Sequence, residues 1–146
     1  MANGADAAVP RKHVAILTCM DARVDALTPF GLERGDAHVL RNAGAVATDD
    51  MLRSLVLSQR ALGTTSIWIV AHTDCGLRKI NDDELARELA WETGAPPPWT
   101  FGAFQDLDQH VHSQCDVVRK CPWLPHVSDV KGYVYDVFDG SIRSVE

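Results

Sequence analysis

Two short segments of the chain carry residue types that could do chemistry together. In the first segment, Cys19, Asp21 and Arg23 lie at alternate positions, and in the second His72 is followed three residues later by Cys75. Two thiolates and one imidazole form a ligand set suited to zinc, and the missing fourth protein ligand leaves a coordination position for water. This combination is typical of a catalytic zinc site rather than a structural one.

The charged residues of the first segment strengthen that interpretation. In extended backbone, residues at alternate positions lean to the same side, so we expect Asp21 and Arg23 to lie beside Cys19. Burying a carboxylate or a guanidinium without a partner is costly, so these charges favour a reactive site over a hydrophobic core. The plainer alternatives are a surface ion pair that caps the next helix and a cysteine that only fills the core.

Strand and helix patterns place both segments after predicted strands. Apolar, β-branched runs predict strands over residues 13–18, 37–41 and 65–71, and an amphipathic pattern predicts a helix over residues 48–62 with Thr48 as its N-cap. In an open parallel sheet, ligands collect beyond the carboxyl ends of the strands. If the first and third of these strands are neighbours, the two reactive segments meet at one edge of the sheet.

The second half of the sequence has the patterns of two further helices and a final hairpin. An acidic start predicts a helix over residues 82–92, and apolar residues at three- and four-residue steps predict another from Phe104 to near Pro122. The tail over residues 130–145 has the pattern of a hairpin. The sequence therefore predicts an α/β fold: a central, mainly parallel sheet flanked by helices, with an antiparallel C-terminal edge strand.

Composition limits what kind of protein this is. The chain has 146 residues, 46% of them hydrophobic and 23% charged, which fits a single domain over residues 13–146 after a flexible N-terminal arm over residues 1–12. A net charge of −6 without a basic run argues against nucleic acid and anionic membrane surfaces as partners. No apolar stretch is long enough to span a bilayer and the arm lacks a secretory signal, so we expect a cytoplasmic protein. Its cysteines are then expected to be reduced rather than paired in disulfides.

Three motifs in sequence order resemble the β-class carbonic anhydrases, zinc enzymes that interconvert carbon dioxide and bicarbonate. The motifs are Cys19-x-Asp21-x-Arg23, Arg41-Asn42-Ala43-Gly44 and His72-x-x-Cys75-Gly76. By motif the resemblance spans residues 13 to 78, and the rest of the chain matches in general layout. It implies one zinc ion per chain, held by Cys19, His72 and Cys75, with Asp21 and Arg23 as a catalytic dyad.

The chemistry that the resemblance implies is the reversible hydration of carbon dioxide to bicarbonate and a proton. Zinc can lower the pKa of a bound water from about 15.7 to about 7, which makes hydroxide available at neutral pH. Asp21 would orient that hydroxide, and Arg23 would hold Asp21 by a bidentate contact; without Arg23, the carboxylate could swing onto zinc and close the site. The small residues Asn42, Ala43 and Gly44, together with Gly76, are expected to line the substrate pocket.

Two other functions stay open at this point. A related zinc enzyme could hydrolyse carbonyl sulfide or carbon disulfide, because these molecules are also linear and attacked at carbon. A non-catalytic zinc-binding domain is the other alternative, although Asp21 and Arg23 argue against it. The resemblance also implies a homodimer or a higher homo-oligomer, since members of the family build their active sites at a dimer interface.

Several further residues have more than one interpretation. Asp74 is expected to orient His72, to lie at the pocket rim or to cap a helix. His110 and His112 are two positions apart on a predicted helix and face different sides, which makes them poor joint ligands; a proton relay is a lesser alternative for either. The two other cysteines, Cys115 and Cys121, are interpreted as structural.

Overall fold

The computed structural model describes residues 8–146, which form a five-stranded sheet with three α-helices. The strands are β1 (Val14–Cys19), β2 (Ala37–Asn42), β3 (Ser66–His72), β4 (Val130–Tyr135) and β5 (Ile142–Ser144). Their order across the sheet is β2-β1-β3-β4-β5, and all neighbours are parallel except β4 and β5, which are antiparallel. The predicted fold class is confirmed, including the antiparallel C-terminal edge.

Each helix begins at a side-chain cap, and of these caps the sequence predicted Thr48. They are α1 (Asp49–Arg60), α2 (Asp82–Thr93) and α3 (Leu107–Arg119). Thr48, Asn81 and Asp106 are the N-caps, each accepting a hydrogen bond from a backbone N–H of the first turn, which satisfies a donor that has no partner within the helix. None of the helices described within residues 8–146 is long and apolar enough to cross a bilayer.

The interior strand β1, between β2 and β3, is buried on both faces. Ala15 and Leu17 join a core cluster that includes Leu55 of α1, while Val14 and Ile16 join a second cluster on the opposite face. Parallel strands that are covered on both faces are uninterrupted apolar runs, which explains why this strand is evident from the sequence. Because the body of the strand is packed on both sides, its carboxyl end is where polar chemistry can be placed.

Several predicted boundaries differ from the structure for local reasons. His13 has a φ of 54°, outside the strand region, so β1 begins one residue later than predicted and includes Cys19. Asn42 pairs with Cys19, so β2 extends through Asn42, one residue beyond the predicted strand over residues 37–41. Phe104 precedes α3 instead of opening it, because Asp106 caps the helix. Of the predicted arm over residues 1–12, residues 1–7 lie outside the described part of the chain.

Gly132 in β4 tests the packing of α3 against the sheet. A Cβ at this position would lie 2.4 Å from Cγ1 of Val111 and 3.2 Å from Sγ of Cys115, both buried on α3. We expect Gly132→Ala to lower the free energy of unfolding by about 1–3 kcal/mol, because overpacking a dense core forces neighbours apart. Urea unfolding measures this change. Gly76→Ala is the control, since its Cβ would meet no atom within 4 Å; equal stability of the two variants would contradict the packing argument.

Candidate metal centre

The sheet brings the three predicted ligands to one point. Cys19 is the last residue of β1 and His72 the last residue of β3, and these strands are parallel neighbours. Cys75 follows three residues later, and the ligand atoms of all three lie within 4.8 Å of one another. All three side chains are buried. The carboxyl ends of two adjacent strands therefore position a compact Cys–His–Cys cluster, although 53 residues of sequence separate Cys19 from His72.

The imidazole of His72 has the hydrogen bonding of a metal ligand. Its Nδ1 donates to the carbonyl oxygen of Thr73 at 2.6 Å, so the ring proton resides on Nδ1 and Nε2 carries a free lone pair. Nε2 is buried and has no hydrogen-bond partner. A bare buried acceptor costs free energy, whereas a metal-binding histidine commonly donates its other ring N–H to a carbonyl or carboxylate. The orphaned nitrogen and the two nearby sulfurs fit a zinc ion.

The charges within the cluster also favour a cation. The hydrogen bond from Cys75 is the largest influence that lowers the pKa of Cys19, and donating that same bond raises the pKa of Cys75. Burial alone lowers the pKa of His72, but the adjacent Cys19 thiolate and the Thr73 carbonyl raise it overall. The Cys19 thiolate thus favours positive charge at its two neighbours, the Cys75 thiol and Nε2 of His72. A divalent cation would supply that charge, since zinc ligands bind deprotonated.

Asp21 and Arg23 meet through a turn. We expected extended backbone here, and that was wrong: Val24 N donates to Asp21 O at 3.1 Å, which closes a turn directly after β1. Arg23 then donates to Asp21 three times: from its backbone N to Oδ1 at 2.8 Å, from Nε to Oδ1 at 3.0 Å and from Nη2 to Oδ2 at 2.8 Å. These bonds hold the pKa of Asp21 far below its usual range. Oδ2 of Asp21 lies 3.9 Å from Nε2 of His72 and can accept a further hydrogen bond.

Asp74 anchors the other side of Arg23. Its Oδ2 accepts from Nη1 of Arg23 at 3.0 Å and its backbone carbonyl accepts from Nη2 at 3.2 Å, while Lys79 lies 2.9 Å from Oδ1. Lys79, and then Arg23, lower the pKa of Asp74. The sequence left three roles open for Asp74: orienting His72, lying at the pocket rim or capping a helix. The structure shows it in a chain of ion pairs with Arg23 and Lys79. The guanidinium of Arg23 is thereby fixed between two carboxylates.

Arg41 stabilises the backbone of the first motif, a role that the sequence did not indicate. Its Nε donates to the carbonyl of Cys19 at 2.9 Å, Nη2 to that of Asp21 at 2.7 Å and Nη1 to that of Val24 at 3.1 Å. Three carbonyls of the turn are thus held by one side chain from β2. The contacts depend on the pairing of β2 with β1, which no local pattern reveals.

The second motif forms a loop against Cys19. Asn42 pins the loop, since its Nδ2 donates to Val46 O at 2.7 Å and its Oδ1 accepts from Val46 N at 3.0 Å. Gly44 N donates to Sγ of Cys19 at 3.3 Å. Asn42 and Ala43 are among the residues that line a cleft of about 220 Å³. Gly76 is exposed at the start of a short turn after Cys75. The pocket roles of these residues stay predictions.

His110, His112, Cys115 and Cys121 are not part of the Cys–His–Cys cluster. His110 is buried against the carbonyl of Gly44, whereas His112 contacts Glu146, so the two face different sides of α3 as expected. Cys115 and Cys121 are buried in the core, which agrees with a structural role. All four cysteines are free thiols.

Comparison with known proteins agrees with this geometry. A family model described as carbonic anhydrase matches residues 14–92, more than half of the chain. The β-carbonic anhydrase 1 of Mycobacterium tuberculosis is 41% identical over 136 residues, which cover 93% of this chain and 83% of that protein. The chain belongs to the β-carbonic anhydrase family. The resemblance identified from the three motifs is thereby confirmed.

Other relatives place this β-carbonic anhydrase in a family with more than one named activity. A carbonic anhydrase structure from Streptococcus mutans superposes with a TM-score of 0.88 at 37% identity, covering 94% of this chain and 84% of that one. A carbon disulfide hydrolase of Acidithiobacillus thiooxidans is 30% identical, covering 90% of this chain and 76% of that protein. Family membership therefore supports a carbonate dehydratase enzyme, and the choice of substrate must be argued separately.

Proposed function

We propose that this member of the β-carbonic anhydrase family is a zinc-dependent carbonate dehydratase that interconverts carbon dioxide and bicarbonate. The observation that carries the proposal is that Arg23 holds the carboxylate of Asp21 beside the buried Cys–His–Cys cluster. A structural zinc site would be closed by a fourth protein ligand and would not need the Asp21–Arg23 pair next to it.

Cys19, His72 and Cys75 would hold the zinc ion. When bound, zinc supplies the Lewis acidity that brings the pKa of a water molecule to about 7. The two thiolates reduce the effective charge of the ion, so this water is expected to be less acidic than at a site of three imidazoles. The burial of Cys19, His72 and Cys75 excludes water from the ligand atoms, which strengthens their electrostatic attraction to a cation.

Asp21 orients the reacting water and does not take its proton. Oδ1 is already occupied by two donors from Arg23, whereas Oδ2 accepts one and retains a lone pair on the side of His72. A carboxylate whose pKa is far below its usual range stays an acceptor throughout the neutral range and is a weak base. An acceptor at Oδ2 fixes the direction of one O–H bond, so that a lone pair of the oxygen faces the carbon of the substrate.

Stopped-flow hydration of carbon dioxide on zinc-quantified protein tests the proposal. The rate should rise between about pH 6.5 and 9 as the reactive water loses its proton, and it should scale with zinc content. A parallel assay supplies carbonyl sulfide or carbon disulfide and measures released sulfide. Sulfide release without carbon dioxide hydration would favour the hydrolase alternative, for which the 30% identical relative is the supporting observation. Full zinc content without either activity would indicate a non-catalytic domain.

Arg23→Ala tests whether Arg23 keeps the Asp21 carboxylate in position. The change removes the side-chain donors to both carboxylate oxygens, raises the pKa of Asp21 toward its ordinary value and frees it to turn toward the metal. We expect a loss of turnover of about 10–100-fold with zinc retained, the size typical of residues that orient a metal centre. Turnover per zinc measures this, and a structure of the zinc-loaded variant should show Asp21 turned onto the metal. Arg53→Ala, which breaks only an exposed ion pair with Asp50, is the matched control; equal turnover in both variants would contradict the role of Arg23.

We also propose that the chain forms a homodimer or a higher homo-oligomer. Large aromatic side chains are exposed on the single chain, among them Trp91 at 89%, Phe138 at 77% and Trp123 at 66%. Aromatic residues are enriched at protein interfaces, which supports association. Sedimentation velocity should give a mass of at least twice 16.0 kDa at micromolar concentration; a monomer at every concentration would contradict the proposal.

A cytoplasmic location is proposed as well. All four cysteines are free, and the proposed ligands Cys19 and Cys75 must stay reduced to bind zinc. A reducing compartment satisfies that requirement. Fractionation of cells that express the full chain tests the location; recovery in an extracytoplasmic fraction would contradict it.

A further inference from the structure

His110 is a buried polar group that the proposed chemistry does not use. It lies in the first turns of α3 and is 6% exposed. Its ring stacks on Phe104 with centroids 3.8 Å apart and planes 7° from parallel. Its Nε2 lies 2.8 Å from the carbonyl oxygen of Gly44. A carbonyl cannot donate, so Nε2 must carry the proton and donate to it.

Gly44 belongs to a strained loop that has to be held in place. Gly44 has a φ of 87° and the following Ala45 a φ of 55°, so two successive residues are left-handed, and Ala45 is not a glycine. A Cβ on Gly44 would lie 2.3 Å from Cδ2 of Leu77, and the left-handed φ of the residue favours glycine whatever space the leucine leaves. Strained backbone of this kind persists only where the surrounding structure fixes it.

Helix α3 fixes this loop at two positions one turn apart. His110 donates to Gly44 O, and Gln114 accepts from Ala47 N at 2.8 Å through its Oε1. Residues four apart lie on the same face of a helix, so both side chains reach the same loop. Burial lowers the pKa of His110, which keeps the ring neutral and its single proton available for Gly44. The loop is therefore held by α3 as well as by its own Asn42.

The held loop makes a direct contact with the cluster. Gly44 N–H donates to Sγ of Cys19 at 3.3 Å, while the carbonyl of the same residue accepts from His110. The two bonds lie on either side of the Gly44 Cα, so His110 restrains the same residue whose N–H reaches Cys19. An N–H aimed at a thiolate stabilises its charge and sets how strongly the sulfur donates to a metal.

We propose that His110 positions Cys19 for metal binding, by holding Gly44 so that its N–H donates to the Cys19 sulfur. The inference rests on the zinc site proposed above and adds a residue outside the three motifs to it. His110 touches neither substrate nor metal, so it is a positioning residue. Its effect must appear in the metal–sulfur bond, which distinguishes it from a residue that only packs.

Two substitutions separate the hydrogen bond from the packing. His110→Phe keeps an aromatic ring on Phe104 and removes the donor, whereas His110→Gln places an amide N–H at a similar reach. We expect His110→Phe to weaken zinc affinity by about 10–100-fold in chelator competition and His110→Gln to restore most of it. In the cobalt(II)-substituted proteins, the sulfur-to-metal charge-transfer band should move to lower energy in His110→Phe and return in His110→Gln, because losing the N–H raises the energy of the sulfur lone pair.

The control is His112→Phe, two residues along the same helix and paired with Glu146 away from the cluster. It should leave the zinc affinity and the cobalt band unchanged. If His110→Phe does not fold, ¹⁵N NMR of the imidazoles in the unmodified protein decides: a neutral His110 protonated on Nε2 supports the inference, and protonation on Nδ1 overturns it. Unchanged affinity and band in a folded His110→Phe would overturn this inference alone. Failure of the unmodified protein to bind zinc would overturn the proposed function together with it.

Discussion

Cys75→Ala is expected to abolish zinc binding and carbon dioxide hydration together. The remaining sulfur and imidazole, Cys19 and His72, provide only two of the three protein ligands within 4.8 Å of one another. We expect the zinc content to fall from one ion per chain to less than about 0.1, because metal affinity depends on the complete donor set. Elemental analysis after dialysis measures it, and the hydration rate should fall to the rate of the buffer.

Cys115→Ala is the matched control for that result. Cys115 is also a buried free cysteine, but it lies in the core on α3, where burial raises the pKa of its thiol to about 12. Removing it should lower stability and leave zinc content and turnover per folded chain unchanged. If Cys75→Ala kept a full complement of zinc, Cys75 would not be a ligand and the proposed site would be wrong.

Asp21→Asn is expected to keep zinc and lose most turnover. The amide has almost the same shape as the carboxylate, but it can present an N–H where Oδ2 now offers a lone pair on the side of His72. It also loses the charge that binds Arg23. We expect turnover per zinc to fall by about 100-fold, the loss that follows when a reacting group is no longer held in the productive orientation. Stopped-flow rates normalised to zinc content measure the loss.

The pH profile of Asp21→Asn separates orientation from proton transfer. Because the pKa of Asp21 lies far below its usual range, it is not the group that titrates near neutrality. The residual rate should therefore rise with pH over the same interval as in the unmodified protein. Asp50→Asn, which changes an exposed carboxylate paired with Arg53, is the control and should change nothing. A residual rate that no longer depends on pH would identify Asp21 as the base and contradict our assignment.

The sequence predicted the parts of the fold that depend on burial on two faces. The apolar runs of β1 and β3 indicate buried parallel strands without reference to any other residue. Once these strands are taken as neighbours, the convergence of Cys19 with His72 follows, because the carboxyl ends of parallel strands share one edge. The Cys–His–Cys cluster is predictable for the same reason: its residues are the last residues of those strands, or follow them within three positions.

The bidentate contact of Arg23 with Asp21 was expected, but the turn that forms it is not described by a simple alternation rule. The other supporting contacts were not predictable, because they depend on backbone geometry and on tertiary distance. Arg41 reaches carbonyls up to 22 residues away in sequence, and His110 contacts Gly44 across 66 residues. A lone histidine on an amphipathic helix carries no local signal of the loop that it will meet. Register and helix packing have to be known first.

X-ray absorption at the zinc K-edge of the unmodified protein tests the central claim most directly. The account predicts one zinc per chain with two sulfur neighbours at about 2.3 Å and lighter nitrogen or oxygen neighbours at about 2.0–2.1 Å, which corresponds to two thiolates, one imidazole and one open position. A zinc ion with four sulfurs, one with no sulfur, or protein that retains no zinc would contradict it.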